Sequence, residues 1–61
     1  MNIDTASKIV AVFDELDTLD DPSSHHAAEL RGELARLCSE ELRRIVVDKA
    51  RKVAGLPALF E

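Results

Sequence analysis

AAELRGELARLCSEELRRIVVDKARKVA, residues 27–54, contains no proline and a single glycine, Gly32. Its apolar positions, Ala27, Leu30, Leu34, Leu37, Cys38, Leu42, Ile45, Val46, Ala50 and Val53, recur mostly at spacings of three and four. That is the period of one buried face of an α-helix, and strand alternation is absent. At about 100° per residue the stripe centres on Leu30, Leu34 and Leu37 in the first half. It then rotates toward Leu42, Val46 and Val53, so a straight helix would offer its two halves to different neighbours. Whether the chain runs straight through Cys38 to Glu41 decides the fold.

Ser39-Glu40-Glu41-Leu42 has the composition of a helix start, with a serine cap and two acids in the first turn. Lys49, Arg51 and Lys52 then lie in the last turn before Gly55. Against a break, neither glycine nor proline separates the two halves, and helices in small bundles are joined by at least two residues. The expectation is one helix over 22–54, bent or broken near 38–41; the alternative is a three-helix bundle. Gly55 and Pro57 end the helix in either case.

Upstream, Asn2 or Asp4 can cap a helix over 4–19 whose face is built by Ala6, Ile9, Val12, Phe13, Leu16 and Leu19. Ile9 to Phe13 is β-branched enough for a strand, but Leu16 and Leu19 continue the helical period and nothing else in the chain can pair with a strand. Asp20, Asp21 and Pro22 make the turn, with Asp21 as cap and Pro22 in the first turn of the next helix. The fold class is therefore all-α: a single small domain over 1–61, a helical hairpin followed by an apolar tail over 55–61.

Lengths then matter. A helix over 4–19 spans about 24 Å and one over 22–54 about 50 Å, so half of the longer rod has no partner in a monomeric hairpin. Leu42, Ile45, Val46 and Val53, with Leu56, Leu59 and Phe60 of the tail, would form an exposed apolar patch of the kind that marks an interface. Dimerisation into a helical bundle covers it; in the three-helix alternative the last segment folds back over it.

A 61-residue chain is in the range where one core only marginally offsets conformational entropy. The single Cys38 excludes an intramolecular disulfide, and no cysteine and histidine spacing suggests structural zinc, which leaves oligomerisation or a larger protein partner. Residues 1–21 carry six acids against Lys8, whereas residues 22–61 carry six acids against seven bases, within a net charge of -4. An acidic front and no dense basic cluster argue against a nucleic-acid partner, and the absence of tryptophan and tyrosine removes base-stacking platforms. Neither a signal-peptide pattern nor an apolar run of membrane-spanning length occurs, so no membrane association and a cytoplasmic location are expected.

No constellation carries chemistry. His25 and His26 are adjacent, point about 100° apart on a helix and cannot chelate one metal together; solvated residues, each within reach of Glu29, are the expectation. Cys38 lacks a base by sequence and reads as a small core residue. The acids Asp14, Glu15, Asp17, Asp20 and Asp21 do not match a calcium loop and read as a solvated face. Arg43, Arg44, Lys49, Arg51 and Lys52 are offset by intrahelical pairs such as Glu40 with Arg44 and Asp48 with Lys52. No cofactor, metal or catalytic residue is expected.

Leu56-Pro57-Ala58-Leu59-Phe60 resembles the short peptides that bind the bacterial DNA sliding clamp, matching them at the small residue, Leu59 and Phe60 and lacking their leading glutamine. The expectation here is instead a tail folded onto the body. In architecture alone, the chain is similar to small hairpin dimers that form four-helix bundles, such as plasmid copy-number regulators. The functional expectation is a non-enzymatic helical protein–protein interaction module, a small self-associating regulator or adaptor. The alternatives are a nucleic-acid-associated regulator using the basic segment 43–52, or an acidic inhibitor of a larger protein.

Overall fold

Three helices and no strand make up the computed structural model, which describes residues 1–61: α1 Ile3–Thr18, α2 His25–Leu37 and α3 Arg43–Val53. α1 begins where the Asn2 side chain accepts from the Thr5 N–H at 2.8 Å. α2 begins where the Ser24 hydroxyl accepts from the Ala27 N–H at 3.1 Å, each oxygen satisfying an amide that the first turn leaves free. The turn between them differs from the expected one. Asp21 does not cap α2; its Oδ1 accepts from the Ser23 N–H at 3.0 Å and from the Ser23 hydroxyl at 2.7 Å. Pro22 accordingly lies in a turn ahead of the helix rather than in its first coil.

The expected single helix over 22–54 is not formed. α2 ends at Leu37, and Cys38 is extended at φ −154° and ψ 149°. A turn closed by Leu42 N–H to Ser39 C=O at 3.2 Å then leads into α3. Ser39 supplies its carbonyl rather than a hydroxyl cap, and α3 has no side-chain cap at all. The reason for the break is tertiary. Running on, the second half of the rod would have left its apolar side chains in water; turning back lets Val47 and Ala50 bury completely against α1.

α1 is the centre of the molecule. It packs on both α2 and α3, while no Cα of α2 comes within 8 Å of one of α3. Its apolar residues make this possible: Ala6, Ile9, Val10 and Val12 are buried and Phe13, Leu16 and Leu19 pack beside them. At about 100° per residue those seven positions span roughly half of the helix circumference, enough for two neighbours. α2 contributes Leu30 and Leu34, with Ala27 buried in its first turn, and Cys38 is buried just past its end.

The core is small. Only Ile9, Leu34 and Val47 are large side chains with essentially no exposure. The accessible surface is 4257 Å², against about 3,900 Å² for a folded monomer of this mass. α3 ends in a Schellman motif: Gly55 at φ 81°, its N–H on Lys52 C=O at 3.1 Å and the Leu56 N–H on Arg51 C=O at 2.7 Å.

Candidate functional site

α3 turns toward α1 with Val47 and Ala50. Val47 and Ala50 are buried and Val46 is half-buried, whereas Leu42, Ile45 and Val53 face outward. The fold-back therefore does not cover the patch, contrary to what the three-helix alternative implies from sequence. Of the seven residues singled out there, Val46 alone is half-buried; Leu42, Ile45, Val53, Leu56, Leu59 and Phe60 each keep more than a third of their surface exposed.

The tail divides this surface. After Gly55 the chain doubles back along α3, and the buried Asp48 carboxylate accepts from the Leu59 N–H at 2.8 Å and the Phe60 N–H at 3.1 Å. Arg51 donates from Nε to Pro57 C=O at 2.6 Å, and Lys52 Nζ lies 2.7 Å from Glu61 Oε1. The Phe60 ring meets Phe13 edge-on, centroids 5.8 Å apart, and carries the Arg44 guanidinium 5.7 Å above its face. Leu42, Ile45, Val53 and Leu56 remain exposed along the outer side of α3 with Lys49 among them, and Ile45 and Lys49 also border the docked segment at Phe60 and Glu61.

Asp48 is the residue that sequence reasoning misplaced. Spacing pairs it with Lys52, but Lys52 reaches Glu61 and Asp48 anchors the tail. The signal was present: Pro57 stops the helix, so amides beyond it need acceptors, and Asp48 is the one carboxylate within α3.

The remaining polar groups serve the fold or the solvent. His25 pairs with Glu29 at 2.9 Å and His26 crosses to Glu15 on α1 at 2.9 Å, all four side chains more than half exposed. Arg51 reaches Asp14 at 3.6 Å. Cys38 Sγ is 3.6 Å from Leu34 C=O and buried, without a base. Arg43 Nε is buried with no partner, at the start of α3. No three of the His, Cys, Asp and Glu side chains converge as metal ligands, and no helix is long and apolar enough to cross a membrane.

One groove of about 400 Å³ lies between α3 and the tail, lined by Arg44, Ile45, Asp48, Lys49, Lys52, Phe60 and Glu61. Its volume would suit a small molecule, but such sites are mostly apolar and only Ile45 and Phe60 are apolar here. Its two carboxylates are already engaged by the tail amides and Lys52. With Arg44 on Phe60, Arg51 on Asp14 and Pro57, and Lys52 on Glu61, most of the basic segment is committed within the chain. Comparison with known protein families, characterised proteins and solved structures finds no match.

Proposed function

We propose that the protein is a non-enzymatic helical interaction module that self-associates through the outer face of α3. The observation that carries this reading is the strip left uncovered by an otherwise folded chain: Ile45 is 67% exposed, Leu42 53%, Leu56 39% and Val53 38%. Together these exposures amount to about two whole aliphatic side chains, worth roughly 3 to 6 kcal/mol per protomer on burial. A dimer buries that amount twice, roughly 6 to 12 kcal/mol, against an association cost of about 4 to 15 kcal/mol. Reversible dimerisation at micromolar or higher concentration is what such a balance supports.

Sedimentation equilibrium from low micromolar to near-millimolar protein tests the reading. The expected result is a mass rising from one chain toward two, with Ile45→Glu held at one chain while its circular dichroism is unchanged. A wild-type chain that stays monomeric over the whole range would sink the proposal.

A further inference from the structure

We infer that the dimer is antiparallel, two α3 helices crossing with Lys49 on the two-fold axis; this rests on the self-association reading above and adds its register. A two-fold interface is isologous, the same patch meeting itself, so its pattern must be self-complementary. For antiparallel helices crossing at Lys49, a residue n positions before it in one copy lies beside the residue n positions after it in the other.

The exposed strip has that symmetry. Leu42 and Ile45 precede Lys49 by seven and four; Val53 and Leu56 follow it by four and seven. Ile45 of one copy therefore meets Val53 of the other, and Leu42 meets Leu56, which is held at the helix end by the hydrogen bond its N–H donates to Arg51 C=O at 2.7 Å. At about 100° per residue Lys49 points some 130° away from the direction of Val47 and Ala50, so the seam is open to solvent. Val46, half-buried, borders it on the core side.

A parallel pair would also stack like residues in layers, and charge decides between the two. Glu41 precedes α3 and forms no ion pair in its own chain. In a parallel pair it would face its own copy, and so would Lys52. In the antiparallel pair neither charge meets its own copy, since Glu41 falls opposite Pro57 and Lys52 opposite Val46 of the other chain, and the two helix dipoles oppose. Lys49 meets its own copy in either case. Its stem can pack while the ammonium turns outward, a polar centre that weakens the pair and keeps it reversible.

Cysteine cross-linking in a Cys38→Ala chain tests the register. Each introduced cysteine replaces an exposed residue, and circular dichroism checks the fold. Lys49→Cys alone should form a covalent dimer with a short bis-maleimide. Ile45→Cys alone should not, and an equimolar mixture of Ile45→Cys and Val53→Cys chains should. Lys49→Leu, which replaces the charged centre, should tighten dimerisation about tenfold or more. Cross-linking of Ile45→Cys alone as well as in the mixture would replace this arrangement by a parallel one. A sedimentation dimer without the Lys49→Cys cross-link would discard the register and leave self-association standing. Loss of both dimer and cross-link would remove the two proposals together.

Discussion

Replacing Asp48 with alanine should undock the tail, and its effect can be worked from the contacts. The carboxylate is 6% exposed and accepts two backbone N–H bonds. Hydrogen bonds to a charged group contribute about 1.5 to 3 kcal/mol each, which sets an upper limit of roughly 3 to 6 kcal/mol. The freed amides are not trapped, because the tail can peel away and bond to water, so the loss is limited to the tail's own docking energy. That energy also includes the Phe13–Phe60 edge contact, about 0.5 to 1.5 kcal/mol. It further includes partial burial of Phe60, which is 44% exposed and so contributes about half of the 3 to 5 kcal/mol of a buried phenylalanine.

We expect Asp48→Ala to cost about 2 to 3 kcal/mol, out of roughly 3 to 9 kcal/mol for a chain this long. Melting should fall by about 10 to 20 °C at the 4 to 8 °C per kcal/mol of small domains. Thermal circular dichroism of Asp48→Ala, of a chain lacking residues 57–61, and of the combination closes a double-mutant cycle. The combined chain should be little worse than the truncation, because both changes remove the same contact. An Asp48→Ala chain that melts within about 2 °C of the parent, where the contacts predict several times that shift, would refute the reasoning. So would an equal cost with and without the tail.

The two glycines should respond to alanine with opposite signs. Gly32 is an exposed mid-helix residue with open space around a new Cβ, so Gly32→Ala should add about 0.5 to 1 kcal/mol of stability. Gly55 also has open space but sits at φ 81°, so Gly55→Ala should cost about 1 to 2 kcal/mol for the left-handed backbone; urea unfolding of the pair checks both. In acid, Asp21 should contribute a specific loss. The hydroxyl and then the amide of Ser23 hold its carboxyl below the usual 3.8. A depressed folded-state value gives stability that is fully present above that ordinary value and is lost as pH falls through the lowered one. The acid limb of a pH–stability curve should therefore be shallower in Asp21→Ala, and an identical limb would contradict the assignment.

How far the sequence could be read depended on whether a signal was local. α1 was legible because its Asn2 cap and six of its seven packed apolar positions, all but Val10, lie within one continuous segment. Gly55 and Pro57 likewise marked the end of α3 by their own backbone limits. The break at Cys38 was not, because Ser39, Glu40 and Glu41 suit both a helix interior and a helix start. The choice depends on what Val47 and Ala50 gain against α1, some thirty or more residues away in sequence. Periodicity also grouped Leu42, Ile45, Val46 and Val53 as one apolar face, whereas the face turned to α1 is that of Val47 and Ala50. Leu42, Ile45 and Val53 were legible as an uncovered patch only through the unpartnered half of a continuous helix; the three-helix alternative, which the structure follows, had them covered.

The packing of both α2 and α3 on α1, across loops of different length, gives the chain an order of closure. Joining α1 to α2 closes six residues, Leu19 to Ser24, whereas joining α1 to α3 closes the twenty-four from Leu19 to Leu42. Two doublings of loop length add about 1.2 kcal/mol of closure entropy. A partly assembled chain is therefore weighted toward a hairpin of α1 and α2, with the other half of the α1 face bare. That bare half is recognised last, by the helix whose outer side carries the remaining apolar strip. In such a chain both sides of α3 look for cover at once, and intramolecular docking competes with capture by a neighbouring molecule for as long as Val47 and Ala50 stay unplaced.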